Sequence, residues 1–478
     1  MIHLHRWFFI WICLTLPLLS AQPYPVSAFI NDLIHKNTKQ QQLQSQRQST
    51  QFAYDRAWGV TDWHVMAELS NAHIEPYQTS VFSTPWIDTR TASLSLNRPL
   101  LTTGGTLQFT LQQQKVTQPL TAFNGASFNE SLFYQNSIGV HYTQPLLAGF
   151  LGESLQFPLL VATTNAQQVV IQSDDAFEDF LMSQLFDYID WTLANELAEL
   201  SFSRLQLANE SLAQTQQRVK VNVSEKIDFL RAKYAQQHAQ QQWKQAHAQL
   251  KSMQFKIAAK FDDPSLRQAL PQFNLYDTVY IKKPEHIVVN KLRALKAMAL
   301  NEPVLERQLC LRKSHRNGQL NLRSGVDFLG GDTMYQSSLA HTDHNATIAL
   351  QYRRDLSDTE AAAHVKEQTE TLVQFKLKQD QRHRDLEADI LALYILIDEY
   401  QSILALGLDQ IASAIKKADA EATLYAQGRQ SIDMLIQAQD TVLNAKTNYA
   451  QKSATYQKQV LRYFALTDTL LSTYEVSL

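Results

Sequence analysis

The sequence predicts an α+β chain, mainly α, built as a duplicated unit of long coiled-coil helical hairpins and short strands. Three observations carry this. Glycine and proline are few, 13 each in 478 residues, and unevenly placed: no Gly falls between Glu153 and Asn317, and no Pro between Leu159 and Asp263 or after Pro303. Such gaps hold few tight turns and favour very long helices. Within the gaps apolar residues recur at alternating steps of four and three, whereas between Gly59 and Gly152, which holds 7 of the 13 glycines, and again around Gly318 to Gly331, the period falls to two.

The same gaps exclude a doubly wound enzyme and a Gly-rich phosphate loop over most of the chain. With 43 basic and 46 acidic side chains the net charge is -3, which leaves no electrostatic footprint for nucleic acid. The hydrophobic share of 45% suits a chain that buries a core. Residues 1–21 read as an export signal: His3, His5 and Arg6 precede an apolar run over 7–19, and Ser20-Ala21 precede Gln22, so cleavage is expected after Ala21. Cys13 lies in that run, so the mature chain keeps only Cys310 and forms no internal disulfide. The run is shorter than the roughly 18 residues of a span, and no later stretch reads as a transmembrane helix. If the protein crosses a membrane, strands must do it.

Strands are expected at about 61–70, 91–97, 105–113 and 136–144 in a first repeat over 22–262, and at about 319–328 and 346–353 in a second over 263–478. Thr106-Leu107-Gln108-Phe109-Thr110-Leu111-Gln112 alternates without a fault, and Gln319 to Phe328 does so apart from Ser324 on the apolar side. Alternation gives one face an apolar neighbour and the other a polar one. That pattern fits a soluble sandwich or an outer-membrane barrel with a lipid face and a water-lined face.

The helices weigh on that choice. They are expected over about 159–220 and 224–261 in the first repeat and about 358–427 and 429–466 in the second. Leu386, Ile390, Leu393, Ile397, Tyr400 and Leu404 form a heptad seam, and the longer helix would reach roughly 100 Å at 1.5 Å per residue. Phe186, Ile189, Leu193, Leu197 and Leu200 make the corresponding stripe in the first repeat, and Leu435, Val442, Tyr449 and Tyr456 recur by sevens. Each long helix turns into a shorter one where a left-handed backbone is needed, at Asn222 and Gly428. These turns are 206 residues apart, as are Ala232 and Ala438, which sets the register of the duplication.

Tyr142-Thr143-Gln144-Pro145-Leu146-Leu147 leads into the first long helix. Asn222-Val223-Ser224 is followed by Asp228, Leu230 and Ala232, and Tyr425-Ala426-Gln427-Gly428-Arg429 by Leu435, Ala438 and Gln439. In these residues and in the duplicated order of elements the chain resembles the TolC-like outer-membrane efflux and secretion channels. The resemblance implies transmembrane β-strands, a homotrimer whose strands close one barrel in outer-membrane lipid, and helices forming an α-barrel tunnel in the periplasm. It also implies partners: a periplasmic adaptor protein that meets the hairpin tips at Asn222, Val223, Ser224, Gly428 and Arg429, and an inner-membrane pump. Short helices would be completed end to end by 34–58 and 285–308. The extra hairpin over 91–113 leaves the barrel at 12 or 18 strands.

For the periplasmic gate, the resemblance points to Tyr425, three residues before the turn glycine, and to Asp228, six after the first turn. An arginine expected two residues past the second turn is replaced by Gln430, with Arg429 one step early. Acidic rings expected six and nine residues past that turn are Met434 and Gln437, with Asp433 displaced by one, so the cation preference such rings confer has no support here. Against the gate roles stand plainer ones: Asp228 and Asp433 as first-turn carboxylates, and Tyr425 as helix-end packing. His341-Thr342-Asp343-His344 reads as a solvated loop, and Asp174, Asp175, Glu178 and Asp179 as a solvated or lumen-facing stripe. No zinc spacing, nucleophile elbow or dinucleotide fingerprint occurs, so neither enzymatic activity nor a cofactor is expected. The expected function is a passive exit duct for small molecules or protein, in a tripartite efflux or type I secretion system. The alternative is a periplasmic coiled-coil scaffold with a soluble β-domain.

Overall fold

The computed structural model describes residues 23–77, 84, 86–120, 129–281 and 289–476. The export signal therefore lies outside the described residues. Contacts divide the chain into two compact units, one built from Met1–Leu43, Asp175–Ile287 and Leu386–Leu478, the other from Gln44–Asp174 and Val288–Asp385.

In chain order the elements are β1 (Pro23–Pro25), α1 (Val26–Lys36), α2 (Thr38–Trp58), β2 (His64–Ile74), β3 (Ile87–Pro99), β4 (Thr106–Leu120), β5 (Asn129–Pro145), α3 (Glu153–Lys220) and α4 (Lys226–Phe261). There follow β6 (Leu270–Gln272), α5 (Arg293–Ala299), α6 (Glu302–Arg316), β7 (Gln319–Asp332), α7 (Tyr335–Ser338), β8 (Asp343–Arg353), α8 (Thr359–Ala426), α9 (Ile432–Leu466) and α10 (Leu470–Thr473). The two long helices have 68 residues each.

The second unit holds an antiparallel sheet in the order β2-β3-β4-β5-β7-β8. The hairpin of β3 and β4 is thus part of this sheet, giving six strands among the described residues. Most strands outrun the apolar alternation that marks them in the sequence. β4 continues to Leu120 through Gln112, Gln113, Gln114 and Lys115, because ladder bonds are made by backbone, whatever the side chain. Register aligns the alternating residues into rows: Ala67, Leu94, Leu111, Ile138 and Phe328 make one, and Val65, Leu96, Phe109, Val140 and Val326 the next. Leu111, Ile138, Phe328 and Val65 are exposed. The edge strands β2 and β8, 11 residues each, are exposed along their whole length.

At one end of the sheet the β3–β4 turn closes with Leu100 N donating to Gly105 O at 2.7 Å and Gly104 N to Leu100 O at 2.8 Å. A Cβ on Gly104, whose φ is 74°, would overlap the carbonyl oxygen of Gly149, and one on Gly152 that of Leu101. Only glycine allows these two turns to meet backbone to backbone.

In the first unit an aromatic core gathers Phe29 of α1, Tyr188 and Trp191 of α3, and Phe261 of α4. Phe29 stands 4.9 Å from Tyr188 and 5.4 Å from Phe261, ring centre to ring centre. Each such side chain contributes about 1.5–3 kcal/mol on burial. The Tyr188 hydroxyl donates to Tyr24 O and accepts from Gln272 N at 3.1 Å, so it ties together the parallel pair β1–β6. On α8, Leu386, Ile390, Ile397 and Leu404 are buried as the heptad requires, and Leu435 and Tyr456 are buried on α9.

Three expectations change. The buried stripe of α3 is Phe177, Leu181, Leu185, Tyr188 and Trp191; of the expected stripe only Ile189 is fully buried. This helix is apolar on more than one side, and the packing of α1 and of the β1–β6 pair chooses which side is covered. Glu178, expected on a solvated or lumen-facing stripe, is 3% exposed and accepts from Leu470 N at 3.1 Å and Leu471 N at 3.4 Å, capping α10. Finally, a window of α8 with mean hydropathy 1.5 is long and apolar enough to cross a membrane by composition, which the sequence reading did not allow.

Candidate functional site

Both helical turns singled out in the sequence adopt one geometry. Asn222 has φ 60° and Gly428 φ 73°. Val223 N donates to Arg218 O at 2.8 Å while Asn222 N donates to Val219 O at 3.1 Å; Arg429 N donates to Leu424 O at 2.9 Å while Gly428 N donates to Tyr425 O at 3.0 Å. Each long helix therefore ends in a Schellman motif with its left-handed residue at the turn. Chain reversal follows within a few residues. Asn222, Val223, Gly428 and Arg429 are exposed and Ser224 half-buried. Val221, Val223, Ile227 and Leu230 present apolar side chains to solvent.

The return helix α4 begins with a reciprocal cap in which Glu225 N donates to Asp228 Oδ2 at 3.3 Å. Asp228 also meets Arg231, whose Nη1 lies 3.5 Å from Asp228 Oδ1 and 3.0 Å from Asp433 Oδ2 on α9. The structure thus brings two of the expected gate residues, Asp228 and Asp433, onto one arginine. Sequence reasoning missed Arg231, although its place three residues after Asp228 on one helix face was a usable signal. Two turns further along α9, Asp440 pairs with buried Arg204 of α3 at 2.8 Å.

Tyr425 lies apart from these charges. It is 4% exposed and packs with Ala232, Ile432 and Leu435. Its hydroxyl is 2.7 Å from Thr215 Oγ1. The Arg218 guanidinium sits over its ring at 4.6 Å and donates to its carbonyl oxygen, closing the end of α8 with a cation. The Tyr425 side chain therefore makes its polar bond within its own chain. Arg218 and Thr215 had no signal in the sequence beyond their place in the last turns of α3.

On the sheet, residues of the opposite parity to the apolar rows are mostly polar, with Met66, Val116, Phe133 and Leu329 among the exceptions. His141 Nε2 of β5 lies 3.0 Å from Asp327 Oδ1 of β7. A Cβ on Gly139 would overlap the Asp327 carboxylate, and one on Gly325 the His141 ring, so two glycines make room for this pair.

No protein-family model matches the sequence, and no curated protein matches it. The fold has solved counterparts. CusC, described for its conformational changes in folding and transmembrane channel formation, aligns over 92% of this chain and 91% of its own with TM-score 0.67 and 10% identity. The outer membrane protein VceC of Vibrio cholerae aligns over 94% and 95% with TM-score 0.65 and 10% identity. The open state of the MtrE outer membrane channel of Neisseria gonorrhoeae aligns over 94% and 90% with TM-score 0.64 and 12% identity. The protein has the fold of the TolC-like outer-membrane channels: mostly helical, with a β-sheet domain.

Proposed function

We propose that the protein is the outer-membrane exit duct of a tripartite efflux or secretion system, a passive channel without enzymatic activity. The sheet carries this reading. Apolar side chains stand exposed in register across its strands, and both 11-residue edge strands lie bare. Long open edges are a liability unless another strand pairs with them, and backbone in lipid requires closure. Three copies joining β2 to β8 would close an 18-stranded barrel, apolar rows toward lipid and the His141–Asp327 side toward the lumen. The fold shared with outer-membrane channels supports this at the level of architecture.

In this reading the chain is a duplication, with the 206-residue offset between Asn222 and Gly428 as its register, and the helices form the periplasmic part. The apolar side chains of Val221, Val223, Ile227 and Leu230 would be covered by a periplasmic adaptor bound to an inner-membrane pump. Asp228, Arg231 and Asp433 hold the hairpins together at the narrow end, and their release widens it.

The test is to purify the mature protein in detergent, measure its mass, image single particles and record from planar bilayers. A three-fold tube with stable conductance is expected. A monomer extracted without detergent and silent in bilayers would overturn the duct in favour of a periplasmic scaffold.

A further inference from the structure

A cavity of about 370 Å³ lies within the first unit, between α3, α9 and the segment that follows β6. That volume is in the range of small-molecule sites. Leu185 and Ile189 of α3, Val460, Leu461 and Phe464 of α9, and Phe273 supply apolar surface. Asp277 is the one charged residue among the described residues that line it, and no basic side chain joins it.

The wall is fixed before any ligand arrives. Tyr188 holds Gln272 N, Gln457 Nε2 donates to Leu275 O at 3.3 Å and to Asp277 O at 2.5 Å, and the Tyr456 hydroxyl accepts from Val279 N at 3.1 Å and donates to Val279 O at 2.9 Å. These polar groups are occupied by the backbone they hold. The interior therefore offers mainly apolar contact, with Asn274, Thr473 and Tyr474 as its further polar lining, while the exposed Asp277 offers a negative charge. A fixed wall spares a ligand the cost of ordering it.

We propose that this cavity binds small lipophilic organic cations, with the apolar body against Leu185, Val460 and Phe464 and the ammonium group beside the Asp277 carboxylate. The inference stands apart from the channel reading, because one chain supplies every residue of the site. It gives the helical unit a ligand site of its own.

The probes are 1-naphthylmethylamine, 1-naphthalenemethanol and 1-naphthoate, three compounds of similar body carrying positive, zero and negative charge at neutral pH. Binding to the full chain in lipid nanodiscs is measured by equilibrium dialysis against empty nanodiscs. The amine is expected to bind about threefold to fivefold more tightly than the alcohol, as for a solvent-exposed ion pair, and the carboxylate more weakly than both. Asp277→Asn, on the surface, should equalise amine and alcohol without loss of fold. Val460→Phe should abolish binding of all three; if it fails to fold, the Asp277→Asn comparison decides alone. Equal binding of amine and alcohol to the unmodified protein, an amine preference that survives Asp277→Asn, or no binding above empty nanodiscs would each overturn the proposal.

Discussion

Arg231 stands between two carboxylates, 3.5 Å from Asp228 on its own helix and 3.0 Å from Asp433 on α9, and so ties the starts of the two return helices together. All three side chains are partly exposed, so each ion pair contributes about 0–1 kcal/mol. If this tie restrains the duct, Arg231→Ala should raise single-channel conductance or open probability by up to about fivefold. Asp228→Ala, which leaves the Asp433 pair, should do less. Unchanged conductance in both variants would remove the tie from the gate.

Tyr425 makes a different prediction. Its hydroxyl meets Thr215, which also donates to Ser211 O, so Tyr425→Phe leaves no buried donor unpaired on Thr215. A loss of about 1 kcal/mol is expected. Tyr425→Ala also strips the ring from under Arg218 and opens a cavity, at about 3–5 kcal/mol. Hydrogen exchange at the last turns of α8 should rise modestly in the first variant and strongly in the second. Equal exchange in the two would mean that the ring packing does not hold the helix end.

The faces of the sheet can be told apart by charge. Leu111→Arg places a cation in the apolar rows and should cost about 2–4 kcal/mol of membrane insertion. Gln112→Arg, one residue on and on the other face, should insert normally. Liposome insertion assays read the difference, and equal insertion would mean that the apolar rows do not face lipid.

Tyr188 gives the helical unit an alkaline limit. Burial pushes its hydroxyl from the ordinary 10.0 up to about 12, partly offset by the amide of Gln272. The folded chain holds this proton more tightly than the unfolded one, so the contribution to stability is complete below pH 10 and is lost as pH rises toward 12. Denaturation followed across that window should show the fall together with tyrosinate absorbance. Tyr188→Phe should make it shallower without removing it, because burial also holds Tyr24, Tyr276, Tyr463 and Tyr474 protonated; it should lower stability at neutral pH by about 1–3 kcal/mol, because Gln272 N loses its acceptor.

The long helices, the alternating strands and the turns at Asn222 and Gly428 were legible in the sequence because each is a local matter. A 3.5-residue period, a two-residue period and a left-handed backbone position need no distant partner to be recognised. Asp228 could be read as a capping or gate acid for the same reason. What tertiary structure decided was every choice among locally equivalent options. Packing of α1 and the β1–β6 pair selected the Tyr188 side of α3 over the Leu193 side, and ladder bonds carried β4 on through its glutamines. Register placed His141 beside Asp327, residues separated by more than a third of the chain. The fold also turned Tyr425 inward onto Thr215 and set Arg231 between its two acids. Sequence periodicity fixes which face of an element is apolar. Only the assembled chain fixes what that face meets, because burial and ion pairing depend on residues brought together from far apart.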